Sequence, residues 1–263
     1  MREQQTNMLA RATPLAPRRR AILVGASSGI GAALARQLAG NGWTLALLAR
    51  RTDRLAALCD EINRTAGEVR AIHYEHDVTR VDEVPGLLQK IIADLGGLDL
   101  LIYNSGITPP VDLERFSFPT DRQTTEVNYL GALAWLNPVA TLFHSLQAGQ
   151  IAGISSVAGD RGRIGNPAYN ASKAAMTCYL EALRNRLTKR GVHVLTVKPG
   201  LVATELNQGK KRSILTIPAE AAARDIAKAI QQRKQVIYTP WFWRWIMLAI
   251  QHIPSFLFRR LSI

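Results

Sequence analysis

Ala21-Ile-Leu-Val24, Gly25-Ala-Ser27-Ser28-Gly29-Ile30-Gly31 and Ala32-Ala-Leu-Ala-Arg-Gln-Leu38 follow one another as four apolar residues, a glycine turn and a segment with apolar residues at helical spacing. An apolar run this short, without polar alternation, reads as a strand buried on both faces, as in a parallel sheet. The glycines fall where strand gives way to helix. Gly25 permits the tight turn, while Gly29 and Gly31 let backbone N–H groups at the helix N-terminus approach an anion with no side chain between. Ser27, Ser28 and Ile30 complete the turn. Strand, glycine turn and helix in this order predict a site for the pyrophosphate of a dinucleotide.

Outward from this unit the alternation continues. Further strands are read at Thr44–Ala49, Val69–Tyr74, Leu98–Tyr103, Gln150–Ser155, Val192–Lys198 and Gln235–Tyr238, with helical stretches between them. About seven strands alternating with helices predict an α/β fold, a single Rossmann-like doubly wound parallel sheet with helices on both faces. A chain of 263 residues suits one such domain with a small appendage. Three segments are expected: a basic tail over 1–20, a dinucleotide-binding catalytic domain over 21–238 with a substrate lid around 205–218, and an aromatic, basic extension over 239–263.

The second strand ends in Arg50-Arg51. At this place in a dinucleotide fold an acid would accept hydrogen bonds from a free ribose 2′-hydroxyl, whereas an arginine would pair with a 2′-phosphate. Two arginines and no acid predict NADP(H), with Arg50 the leading candidate and Arg51 in support. Downstream, Tyr169-Asn-Ala-Ser-Lys173 puts a phenol and an ammonium four residues apart, on one face of a helix. A phenol with a reference pKa of about 10 is a poor acid near neutrality, and a cation beside it favours its phenolate. Such a pair suits proton donation to a carbonyl oxygen.

With these residues in view the chain resembles the classical short-chain dehydrogenase/reductase family, from about Ala21 to Thr204. The family's motifs occur in order: the glycine turn, Asp77-Val78, Asn104-Ser105-Gly106, Asn128, Ser156, Tyr169 with Lys173, and Pro199-Gly200-Leu-Val202-Ala-Thr204. The resemblance implies that Asp77 contacts adenine, that Asn104 and Gly106 line the cofactor, and that Val202 and Thr204 hold the nicotinamide carboxamide. It further implies that Tyr169 is the general acid in reduction and that Lys173 lowers its pKa and bonds the nicotinamide ribose. Ser156 would polarise the substrate carbonyl, and Asn128 would hold a water linking Lys173 to solvent. Ser155 is chemically equivalent to Ser156; the family spacing of thirteen residues before the tyrosine selects Ser156. Two positions depart from the pattern: Val24 replaces the usual threonine and Ser105 the usual alanine. Both alter local hydrogen bonding and neither removes a chemical role. Dimers or tetramers are the family's usual assemblies.

The formal charge of +13 is concentrated at the ends: +4 over residues 1–20, +1 over 21–205 and +8 over 206–263. A nearly neutral body argues against nucleic-acid binding and for a partner surface at the ends. Two cysteines, Cys59 and Cys178, suit a reducing, cytoplasmic setting. His73, His76, His144, His193 and His252 have no metal-ligand spacing, and no metal is expected. The first twenty residues lack a continuous apolar core of the kind a secretory signal needs. Lys210-Lys211-Arg212 in the lid reads either as a solvated turn or as a contact for phosphate or a membrane surface.

Trp241, Trp243 and Trp245 are three of the chain's five tryptophans, in an extension interrupted by Pro240, Arg244 and Pro254. That is too short and too broken to span a bilayer. Two readings stand: peripheral attachment at the cytoplasmic membrane face, through aromatic rings and cations at headgroup depth, or packing over the substrate pocket or a subunit interface. The expected activity is interconversion of a ketone and a secondary alcohol with NADPH as hydride donor. The apolar end favours a lipid-linked substrate, including a keto-sugar on a lipid phosphate. Small soluble ketones and β-ketoacyl thioesters are the alternatives, and a non-catalytic NADPH-binding scaffold is the alternative of another class.

Overall fold

The computed structural model describes residues 19–207 and 213–261. Residues 1–18 of the basic tail and the Lys210-Lys211-Arg212 run lie outside the described residues. The first half comprises β1 (Arg20–Val24), α1 (Gly29–Gly40), β2 (Thr44–Ala49), α2 (Thr52–Ala66), β3 (Ala71–Glu75), α3 (Val84–Leu95) and β4 (Leu100–Tyr103). It continues with α4 (Phe118–Thr125), a π-helical turn at Glu126–Leu130, α5 (Gly131–Leu146), β5 (Gln150–Ile154) and α6 (Pro167–Leu187). The remainder is β6 (His193–Pro199), β7 (Val202–Ala203), β8 (Ile217–Pro218), α7 (Ala219–Gln231), β9 (Val236–Thr239), α8 (Trp243–His252) and α9 (Ser255–Phe258).

Seven strands form one parallel sheet in the order β3-β2-β1-β4-β5-β6-β9. Strand order reverses between β1 and β4, which places the ligand crevice beyond their carboxyl ends. Side chains of β1 alternate between the two faces. Ala21 and Leu23 join a core with α1, α2 and α7, whereas Ile22 and Val24 join one with α3, α5 and α6. This double burial is why the strand reads as a continuous apolar run.

Three details depart from the sequence-based reading. β7 and β8 form a separate two-stranded ladder. Asn128 sits in a π-helical turn rather than in regular helix. Arg20, assigned from sequence to the basic tail, is the first residue of β1 and is only 2% exposed. Its Nε donates to Asp99 Oδ2 at 2.8 Å and its Nη2 to Asp99 Oδ1 at 3.0 Å, a forked pair that neutralises a buried charge.

The C-terminal extension folds back onto the domain. Trp243 and Met247 of α8 pack with Val157, Leu201, Leu215 and Tyr238 in a third apolar cluster. Among the described residues no helix is long and apolar enough to cross a membrane.

Candidate active site

Beyond the carboxyl ends of the central strands lie a cleft of about 710 Å³ and a smaller pocket of about 330 Å³, sharing Asn104, Gly106 and Leu206. The larger holds Ser156, Tyr169 and Lys173, together with Ile30, Pro199, Gly200, Val202 and Thr204. The smaller holds Gly25, Ser27, Ser28, Arg50, Arg51, Asp77 and Val78. Residues far apart in sequence are thereby gathered into two connected cavities.

The glycine turn is a close-packed joint. Gly25 has φ +90, and a Cβ there would lie 2.6 Å from the Ser105 nitrogen. A Cβ on Gly31 would lie 2.1 Å from the Gly25 oxygen, so the first turn of α1 meets the turn with no room for a side chain. Asn104 Nδ2 donates to the Gly25 oxygen at 2.7 Å and holds the turn to the end of β4. Its role here is to brace the turn. The N–H groups at the start of α1 open this cradle as a helix N-terminus, a geometry that suits an anion.

The two arginines differ. Arg50 is largely exposed, with Nη1 at 3.8 Å from Asp77 Oδ2. Arg51 reaches over the turn: its Nε donates to Ser27 Oγ at 3.1 Å, and its Nη2 to Ser27 Oγ at 2.9 Å and Ser28 Oγ at 2.7 Å. Its Nη1 pairs with Glu205 at 2.7 Å, and Arg54 pairs with the other oxygen of the same carboxylate. Hydrogen bonds from Arg51 and Arg54 hold the Glu205 carboxyl down to about 2. Sequence reading put Arg50 first; the geometry aims Arg51 at the glycine turn more directly. Arg54 and Glu205 were not anticipated. Arg54, on the first turn of α2, was legible as a third cation, but its link to Glu205 spans 151 residues.

The α6 end of the site is held by its own cap. Asn166 accepts a hydrogen bond from the Tyr169 N–H at 3.0 Å, and Pro167 follows at the first helical position. Asn-Pro before the tyrosine was a readable helix start. Ser155 Oγ donates to the Lys173 oxygen at 2.8 Å and lies 2.7 Å from Thr177 Oγ1, so its hydroxyl ties β5 to α6. Ser156 Oγ accepts from the Ala158 N–H at 3.0 Å and faces the cleft.

Lys173 is 4% exposed, and its Nζ donates to the Ile154 oxygen at 2.9 Å and lies 6.0 Å from the Tyr169 ring centroid. Burial pulls this amine down to about 8. Sequence predicts that Lys173 acidifies Tyr169; in the fold burial pushes the phenol up, and Ser156 and the Arg163 charge pull against that rise. Asn128 is fully buried. Its Oδ1 accepts from the Ile107 N–H at 2.7 Å, and its Nδ2 donates to the Ile107 oxygen at 3.0 Å and Ser172 Oγ at 3.1 Å. The side chain thus fastens the segment after β4 to α6. A Cβ on Gly106 would lie 3.3 Å from Lys173 Nζ and 3.4 Å from Asn128 Oδ1, so these two groups flank one spot beside Gly106.

On the cofactor side, Thr204 approaches the glycine turn: its Cγ2 would lie 3.0 Å from a Cβ on Gly29. Asp77 Oδ1 accepts from the Thr79 N–H and hydroxyl at 3.0 and 2.9 Å. Trp243, which lines the cleft, rests on Gly200, where a Cβ would come within 2.0 Å of its Nε1.

A family model for short chain dehydrogenase matches residues 19–214. The chain belongs to the short chain dehydrogenase family. It is 32% identical over 232 residues to an uncharacterized oxidoreductase of Mycobacterium tuberculosis, covering 88% of this chain and 91% of that one. It is 37% identical over 188 residues to an uncharacterized oxidoreductase of Myxococcus xanthus, covering 72% and 74%. Among solved structures, a ketoreductase of actinorhodin polyketide with NADPH superposes with TM-score 0.76 at 24% identity, covering 84% of this chain and 95% of that one. A short-chain dehydrogenase from Sphingobium yanoikuyae in complex with NADPH gives TM-score 0.77 at 23% identity, with 90% and 96% covered. These two likenesses concern the fold.

Proposed function

We propose that the chain is an NADP(H)-dependent oxidoreductase that interconverts a ketone and a secondary alcohol, with Tyr169 as the general acid in reduction and the general base in oxidation. The observation that carries this reading is the gathering of Ser156, Tyr169 and Lys173 in one cleft that adjoins the glycine turn. NADPH, when bound, supplies the hydride. The N–H groups at the start of α1 would hold its pyrophosphate, and Arg51 and Arg50 the 2′-phosphate. The NADPH in two of the related folds agrees with this choice of cofactor.

Within the cleft, Ser156 Oγ would donate to the substrate carbonyl oxygen and hold it beside the Tyr169 hydroxyl. Tyr169 would transfer its proton to that oxygen as negative charge develops there. Burial holds the phenol's pKa up, so it keeps its proton at neutral pH. Lys173 in its ammonium form would stabilise the phenolate left behind. With Tyr169→Phe, reduction of a ketone panel with NADPH is expected to fall by about two to four orders of magnitude, while NADPH still quenches tryptophan fluorescence. Equal turnover by both proteins would overturn the catalytic reading in favour of a scaffold.

A second reading concerns location. α8 buries Trp243 and Met247 and turns Trp245 and Leu248 outward; Trp241, just before it, also faces outward, with Trp241 71% and Trp245 58% exposed. We propose that this outer aromatic face, with Arg244, Arg259 and Arg260 near it in sequence, rests on an anionic lipid surface and brings the cleft to an apolar ketone. Co-sedimentation with phosphatidylglycerol vesicles is expected for the wild type and is expected to weaken in the double variant W241S/W245S. Equal sedimentation of the two would refute it.

A further inference from the structure

We infer that the ketone substrate carries an oxyanion, a carboxylate or a phosphate ester, and that Arg163 binds it inside the cleft. The inference rests on the reading above that this cleft holds a carbonyl compound against Tyr169. It starts from two arginines on one loop, between the turn at Val157–Gly159 and α6. Arg161 is committed to packing: its Nη1 bonds the Ile250 oxygen and its guanidinium lies 3.8 Å from the Phe258 ring centroid. Arg163 lines the cleft, and its side chain makes no hydrogen bond or ion pair with any described residue.

The loop that carries Arg163 is clamped. Asn170, 5% exposed, donates from Nδ2 to the oxygens of Arg163 and Gly165 at 3.3 and 3.2 Å. Asn166 Nδ2 reaches across to Thr108 Oγ1 at 3.1 Å and to the Pro109 oxygen at 2.9 Å. Arg163 is therefore carried by a loop tied both to the tyrosine helix and to the opposite wall.

Among the described residues no carboxylate contacts it; Asp160 and the Tyr169 hydroxyl act on it only through space. Among the described residues no aspartate or glutamate lines the cleft. Asp160, three residues away, has its carboxylate taken by Lys198 Nζ and by the Tyr238 hydroxyl at 2.9 Å, and its side chain is 2% exposed. Burial already pulls the Arg163 guanidinium down. A partly desolvated cation with no carboxylate in contact among the described residues is unfavourable alone and is relieved by an incoming anion, which a guanidinium grips through two parallel hydrogen bonds. The cofactor's phosphates do not answer this need, because Arg163 does not line the pocket of the glycine turn, Arg50 and Arg51. The remaining wall includes Pro109, Val111, Leu201 and Trp243, which suits an apolar body with one charged end.

The test compares wild type, Arg163→Gln and Arg163→Lys, saturated with NADPH, on two matched pairs. 4-Oxopentanoate against its methyl ester reports a carboxylate; dihydroxyacetone phosphate against dihydroxyacetone reports a phosphate. The charged member of one pair is expected to show the higher kcat/KM in wild type, mainly through KM. The charged-to-neutral ratio is expected to fall about tenfold or more in Arg163→Gln and to recover in part in Arg163→Lys. An unchanged ratio in Arg163→Gln overturns the inference. Calorimetric titration of the NADP+-saturated protein with 4-oxopentanoate and with inorganic phosphate reads the same site without turnover. Binding in wild type that is lost in Arg163→Gln supports the inference; no binding, or equal binding by both, overturns it. Turnover of none of the four compounds beside Arg163-dependent binding would count against the oxidoreductase reading and leave the anion site standing.

Discussion

Lys173 shows how far a single side chain can be held against its own preference. Its amine is buried, with one carbonyl acceptor, and burial takes it from the ordinary 10.5 to about 8. A lysine pKa lower in the folded chain means that the unfolded chain binds the proton more tightly. The resulting loss of stability is complete below about pH 8, shrinks as pH rises from there, and vanishes above the unfolded value of about 10.5. By that shift the loss is on the order of 3 kcal/mol at pH 7. Lys173→Met is therefore expected to melt higher than wild type at pH 7, with the difference narrowing toward pH 10, as thermal denaturation across pH would show. The same variant is expected to lose ketone reduction, which makes the strain part of the site's chemistry. The four-residue spacing of Tyr169 and Lys173 was legible in the sequence because helical geometry alone puts them on one face. The direction of the Tyr169 shift was not, since it depends on how deeply the finished fold buries the phenol. Arg163 was invisible for a related reason: whether a charge is paired depends on every group around it, and the cleft it lines is walled by residues 108–111, α6 and α8, far apart in sequence.

At the scale of elements, the segment after β6 joins the two pockets. β7 pairs with β8, and Glu205, three residues beyond Val202, clasps Arg51 and Arg54 at the edge of the glycine turn. The carboxylate thus holds the same guanidinium that the proposed 2′-phosphate would use. Removing its charge frees Arg51 and Arg54 for the phosphate and removes a repulsion, although both side chains are about two-fifths exposed, which limits the gain. For Glu205→Gln the dissociation constant for NADPH is expected to fall several-fold, with that for NADH little changed; fluorescence titration with both cofactors measures it. Equal effects on the two would show that Glu205 does not face the 2′-phosphate site. The strands β1, β2 and β4 were readable as apolar runs of four or more residues between helices, and the others by their place in the alternation with helices. β7 and β8 have two residues each and carry no periodicity to read. The Glu205 clasp was unreadable because local sequence cannot reveal a contact across 154 residues.

For the whole molecule, the decisive contact is between the domain and its C-terminal end. From sequence the three tryptophans supported a lipid surface, a cover for the pocket or a subunit interface, because composition does not tell which face of a short helix turns inward. The start of α8 divides them: Trp243 closes on Gly200 and joins the wall of the cleft that holds Tyr169, while Trp241, just before the helix, and Trp245 stay outside. The cofactor pocket has no residue from α8. Deleting residues 241–263 would uncover Val157, Leu201 and Leu215, remove two buried anchors worth about 2–5 kcal/mol each, and leave the arginines and the glycine turn in place. The truncated chain is therefore expected to melt well below the full chain and to reduce ketones with a raised KM, while its NADPH dissociation constant changes little. Thermal denaturation with and without NADPH, followed by steady-state kinetics below the melting range, separates these effects. Loss of NADPH binding at a temperature where the truncated chain remains folded would mean that the extension supports the cofactor pocket as well, and that the two cavities are coupled through more than the residues they share.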